Sequence, residues 1–109
     1  MITLYGIPTC DTCKKAIKAL EGAGKQVTFR DVRADPLSDD EWAVLINEFG
    51  TNLVNTRSTT YRGLSDWLKA SEAEAQLAAQ PTVMKRPVIV DGEAMYLGWD
   101  ASVQAALLG

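Results

Sequence analysis

The sequence predicts an α/β fold: a four-stranded mixed sheet flanked by helices, with a helical insertion at about residues 37–81 between a βαβ half and a ββα half. Three observations carry that reading. Two short β-prone runs near the start bracket a helical stripe. A helical middle follows, punctuated by capping residues. Near the end an Asp-Gly pair separates two apolar runs, the strongest short hairpin signal in the chain. At 109 residues, 47% hydrophobic and 23% charged, the chain is read as one domain over 1–109. A chain of this length removes roughly 60–70% of its unfolded surface from water, enough for a core without staples.

Ile2-Thr3-Leu4-Tyr5 alternates and reads as a strand ended by Gly6-Ile7-Pro8. From Asp11 the period becomes helical. Ala16, Ile17, Ala19 and Leu20 form the apolar stripe, and Gly22 and Gly24 stop it. Val27 to Val32 reads as a second strand. A right-handed strand-helix-strand crossover makes the first two strands parallel. Residues 33–37 are a turn. Ser38 then caps a helix whose first turn holds Asp39, Asp40 and Glu41, acids suited to the positive end of the helix dipole. That helix carries Trp42, Leu45, Ile46 and Phe49 and stops at Gly50. After Leu53-Val54-Asn55 comes the polar run Thr56-Arg57-Ser58-Thr59-Thr60. Residues 65–79 read as helix, capped by Ser65, with a break near Ser71 and an end at Pro81. Pro87-Val88-Ile89-Val90 is a strand, Asp91-Gly92 the turn, and Ala94 to Leu97 the returning strand. Asp100 caps a last helix through Leu108. This order is the plan of a thioredoxin-like fold.

Composition excludes several functions. There is no His, so no Ser-His-Asp triad, no Cys-His pair and no His-ligated metal. Eleven basic against fourteen acidic residues give a formal charge of −3, which argues against direct nucleic-acid binding. No apolar run is long enough for a membrane span, and no basic segment precedes an apolar one at the start. A cytoplasmic, monomeric protein is the expectation. Trp42, Trp67 and Trp99 read as core or partly buried helix-face residues. The acidic cluster Asp35, Asp39, Asp40 and Glu41 reads as helix-capping charge rather than a metal site.

Chemistry concentrates at Cys10-Asp11-Thr12-Cys13, a C-x-x-C after a strand and at a helix start. First-turn N–H groups and the helix dipole favour a thiolate at Cys10, the nucleophilic form. Lys14, one turn on, has the sign to help; Asp11 opposes. Cys13 is placed to attack a mixed disulfide formed at Cys10. Two buried cysteines acting as small hydrophobes are the plainer alternative, disfavoured by the polar Asp11 and Thr12. Zinc would need two more ligands than the chain offers. Lys85-Arg86-Pro87 precedes a strand. Arg86 offers a fork of donors to an anion near Cys10, or the triplet is an ordinary strand entry with two solvated cations. In a thioredoxin-like fold the Arg86-Pro87 bond would be cis and stand opposite the Cys loop. Arg57, among hydroxyls, suits an anion or peptide contact and equally suits a polar loop.

Tyr5-Gly6-Ile7-Pro8-Thr9-Cys10-Asp11-Thr12-Cys13-Lys14-Lys15-Ala16, then Thr56-Arg57-Ser58, Lys85-Arg86-Pro87-Val88 and Gly98-Trp99 resemble the ArsC/Spx family, in its short arsenate reductase-like, YffB-like branch. The resemblance implies a reactive Cys10, with Arg86 where the family has an arginine beside that cysteine. Arg57 lies in the region of another family arginine, slightly displaced. Arsenate reductases of the family carry a further arginine after the last strands. Here Tyr96-Leu97-Gly98-Trp99-Asp100 holds neither Arg nor Lys, which lowers the arsenate reading.

The expected function is therefore a thiol-dependent oxidoreductase with Cys10 as nucleophile, Cys13 or glutathione resolving, and Arg86 stabilising anionic charge. Arg57, Thr12, Lys14 and Pro87 are the expected substrate-binding residues. Glutathione, with its two carboxylates, is the expected co-substrate; no tightly bound cofactor or metal is expected. The Spx branch implies a different role, a redox-sensing regulator that binds RNA polymerase. Arsenate reduction is the third reading.

Overall fold

The computed structural model describes residues 1–109. Its contacts divide the chain into two compact units, one of Met1–Asp31 with Arg86–Gly109 and one of Val32–Lys85. No helix is long and apolar enough to cross a membrane.

The first unit is the sheet. Strands β1 (Ile2–Gly6), β2 (Val27–Asp31), β3 (Val88–Asp91) and β4 (Ala94–Leu97) lie in the order β2-β1-β3-β4. β1 runs parallel to β2 and antiparallel to β3, and β3 is antiparallel to β4, so the sheet is mixed as expected. Helix α1 (Asp11–Gly22) makes the crossover between the parallel pair, and the C-terminal helix of this unit spans Ala101–Leu108. This is the thioredoxin-like arrangement.

Alternation along β1 puts Ile2, Leu4 and Gly6 on one face. There Ile2, Leu4 and Ile89 pack with Cys13, Ala16 and Leu20 of α1 and with Val103 and Leu107 of the last helix. On the opposite face the Arg30 guanidinium lies 6.0 Å from the centre of the Tyr5 ring. Asp100 caps the last helix by accepting from the Val103 N–H at 3.0 Å. At Gly92 (φ +62°) the hairpin takes the left-handed conformation that its Asp-Gly pair suits. The Arg86-Pro87 peptide is cis.

The second unit is helical: α2 (Asp39–Phe49), α3 (Thr59–Arg62), α4 (Asp66–Lys69) and α5 (Ala73–Ala79), with 3₁₀ turns at Gly50–Leu53 and Pro81–Val83. In chain order the Ala101–Leu108 helix is α6. Ser38 and Glu41 close a full capping box on α2: Ser38 Oγ accepts from the Glu41 N–H, and Glu41 Oε1 accepts from the Ser38 N–H. Trp42 and Leu45 of α2, Leu53, Leu77, Val83 and Met84 are buried.

The 65–79 segment breaks near Ser71 as expected, into two helices. Two details differ from expectation. Part of the polar run is helix rather than loop: Ser58 Oγ accepts from the Tyr61 N–H and caps α3. Trp67 is 74% exposed, not buried. A four-residue helix is too short to build an apolar stripe, so nothing obliges its tryptophan to face inward.

Candidate active site around Cys10

β1 delivers the chain to a tight turn before α1. The Cys10 N–H donates to the Ile7 carbonyl at 3.2 Å, and Cys10 becomes the N-cap residue of α1 with extended backbone (φ −82°, ψ 114°). An N-cap side chain sits where the first-turn N–H groups point. Here that side chain is a thiol. The backbone N–H groups of Cys13 and Thr12 lie near enough to the Cys10 sulfur to favour its thiolate, and the Cys13 thiol does the same as a donor.

Burial pushes the Cys10 pKa up, but these donors and the nearby positive charge of Arg86 outweigh it. The net effect holds Cys10 below its ordinary value of 9.0. Cys13 goes the other way. It is 1% exposed. Desolvation, the hydrogen bond it gives to Cys10 and the charge of Cys10 push it up to about 12, against the Ile7 N–H and Arg86. One sulfur is prepared to ionise, and the other stays protonated as its donor.

Arg86 reaches this site because of register. The antiparallel β1–β3 ladder ends at Tyr5 opposite Val88, which brings the residues before Val88 alongside the turn after β1. Pro87 is fully buried, and its carbonyl accepts from the Gly98 N–H at 2.8 Å. Its ring is packed away from solvent, so a contact with substrate at this position falls to the backbone. Thr12 acts on Cys10 through its backbone N–H. Lys14 is exposed, and the cation that lowers the Cys10 pKa is Arg86. Arg57 belongs to the second unit. It is exposed, in a turn where Asn55 Oδ1 accepts its N–H at 3.1 Å. The structure thus brings together Cys10, Cys13, Arg86 and the Thr12 backbone. No group of three or more Cys, Asp, Glu or His residues is arranged to hold a metal ion.

Sequence reasoning missed Gly6. A Cβ built there would collide with the Cys13 sulfur. The signal was available in the alternation of β1, which puts position 6 on the same face as Ile2 and Leu4.

A profile of the ArsC family matches residues 5–106. The chain belongs to the ArsC family. An uncharacterized protein of Haemophilus influenzae is 41% identical over 97% of this chain and 98% of its own length. The global transcriptional regulator Spx of Listeria innocua is 31% identical, over 92% of this chain and 81% of the regulator. Among solved structures, the YFFB protein superposes with a TM-score of 0.90 at 33% identity, covering both chains completely. An arsenate reductase (ArsC) related protein of Brucella melitensis gives 0.74 at 31% identity, covering 95% of this chain and 92% of the other.

Proposed function

We propose that this ArsC-family chain is a thiol-dependent oxidoreductase that uses glutathione as its reducing co-substrate. The carrying observation is the Cys10 sulfur, half-buried at the amino end of α1, with donors and the Arg86 charge all favouring its thiolate.

The Cys10 thiolate attacks one sulfur of a disulfide. A bond forms to Cys10, the substrate S–S bond breaks, and the departing thiolate takes a proton from water. Arg86 stabilises the anionic charge that passes between the sulfurs. Cys13, already hydrogen-bonded to Cys10, then loses its proton to the medium and attacks the Cys10 sulfur. This releases the second thiol and leaves a Cys10–Cys13 disulfide. Two glutathione thiols restore both cysteines and leave as glutathione disulfide. Where glutathione attacks the mixed disulfide directly, the net reaction is the same: one disulfide and two thiols exchange two electrons. Thr12 and Lys14, on α1, are the remaining candidates in this unit for contact with the carboxylates of the tripeptide.

Turnover of a small disulfide with glutathione tests this reading. Cys10→Ser is expected to fall to the uncatalysed background. Turnover by that variant at the parent rate overturns it.

The likeness to Spx favours a second reading, in which Cys10 and Cys13 form a redox switch and the partner is RNA polymerase. The net charge of −3 suits a protein partner. Pull-downs under oxidising and reducing conditions distinguish the two. Polymerase captured in one redox state supports the switch, and none captured in either removes it.

A further inference from the structure

Five glycines of this chain, at positions 24, 50, 92, 98 and 109, have positive φ, a conformation in which a side chain is strained. Gly6 is not one of them. Its backbone is ordinary strand, paired with Asp31 of β2, where any L-residue fits and where glycine is a weak choice. A different reason is therefore needed for glycine at the end of β1. The surroundings supply one. An added Cβ would run into the Cys13 sulfur, and would also lie 3.4 Å from the Cys13 Cβ and 3.6 Å from Leu4 Cδ2. The sulfur occupies the volume a side chain would take.

That sulfur has little freedom to move aside. Cys13 is 1% exposed and packed among Leu4, Ala16 and Leu20 in the core beneath the sheet. In its present position its S–H donates to Cys10 and its sulfur accepts from the Ile7 N–H. To clear a methyl at position 6 the sulfur would have to leave this seat.

We propose that Gly6 is a positioning residue for the reactive thiol: its missing side chain seats the Cys13 sulfur against β1, where the Cys13 S–H donates to Cys10. Gly6 acts through Cys13 and touches no substrate. The inference rests on Cys10 being the reactive thiol, as the proposed function holds. Its test reads the ionisation of Cys10 rather than turnover, so the two can fail separately.

The experiment is a pH profile of Cys10 alkylation by iodoacetamide, with the modified residue assigned by mass spectrometry. Four chains are compared: the parent, Gly6→Ala, Cys13→Ala and the double variant. A hydrogen bond to a charged group is strong enough that its loss should raise the midpoint by about one pH unit. Gly6→Ala is expected to show that rise. Cys13→Ala, which removes the donor outright, should rise at least as far. In the Cys13→Ala background the methyl at position 6 meets no sulfur, so adding Gly6→Ala should leave the midpoint where Cys13→Ala set it. If Gly6→Ala alone does not fold, folding of the double variant, read by circular dichroism, still supports the proposal, because removing the sulfur makes the room. The proposal is overturned if folded Gly6→Ala keeps the parent midpoint. It is equally overturned if Gly6→Ala shifts the midpoint in the Cys13→Ala background, or if the double variant does not fold.

Discussion

At Cys10, desolvation opposes ionisation and several modest donors together overcome it. Two are backbone N–H groups, which no side-chain substitution removes. The third is the Cys13 thiol, and the fourth contribution is the charge of Arg86. Arg86 differs from the rest because it acts through a field, which mobile ions screen where solvent reaches it. Arg86→Gln is therefore expected to raise the alkylation midpoint of Cys10 toward 9.0. Added salt should raise the parent midpoint and leave the variant nearly unmoved. Equal salt responses in the two proteins would remove Arg86 from the account. The residues of this site were legible in the sequence to different degrees. Cys10, Cys13 and Arg86 carry functional groups, and their spacing and neighbours advertise them. Gly6 carries none, and its contribution is an empty volume defined only once α1 is laid on β1. Pro87 was legible as a special backbone position, but its burial depends on the packed sheet and no local pattern encodes that.

Among the elements, legibility follows length and capping. The 12-residue α1 and 11-residue α2 had apolar stripes and clear stops, and the Asp91-Gly92 turn fixed the β3–β4 hairpin. The one-turn helices α3 and α4 were harder to read. Four residues cannot display a 3.6-residue period, and only their serine caps announce them. Their stability must come from outside their own backbone, and Gln76 shows how this happens for α4. This α5 side chain is 6% exposed. Its Nε2 donates to the carbonyls of Leu68 at 2.9 Å and of Lys69 and Ser71 at 3.3 Å each. It adds a side-chain donor to the carbonyls at the end of α4, where a helix runs out of its own N–H groups; Leu68 O also accepts from the Ser71 N–H at 3.0 Å. A sequence reading would assign a glutamine in that position to solvent. Gln76→Met keeps the length of the side chain and removes the donor. It is expected to lower the unfolding free energy by about 1–3 kcal/mol, the range for leaving buried polar groups unpaired. Urea titration of the two proteins checks this, and an unchanged midpoint with an unchanged slope would show that the clamp contributes nothing.

At the scale of the whole molecule, the sheet unit is assembled from both ends of the sequence, Met1–Asp31 and Arg86–Gly109. Cys10 comes from one stretch and Arg86 from the other, so their pairing exists only in the folded chain. Ionisation of Cys10 is therefore coupled to global stability. In the unfolded chain Cys10 titrates near its ordinary 9.0, whereas in the folded reduced chain it titrates lower. Between those two values the unfolded state binds the additional proton, so the stability of the reduced protein rises with pH. The contribution is fully present above the ordinary value and is lost as pH falls through the folded one. Cys13 contributes with the opposite sign but in a different window. Its folded value of about 12 lies above the ordinary 9.0, so its effect is a loss of stability that begins only as pH climbs past 9. The protein oxidised to a Cys10–Cys13 disulfide has neither ionisation. Closing so short a loop adds its own entropic contribution, but that part does not depend on pH. The difference in unfolding free energy, reduced minus oxidised, is thus expected to increase as pH rises through the folded Cys10 value toward 9.0. Urea titrations of both forms across that range measure it. Arg86→Gln, which moves the folded Cys10 value back toward 9.0, should flatten the increase. A difference that stays constant or falls with pH would mean that the folded chain does not hold Cys10 as the thiolate on which the proposed exchange depends.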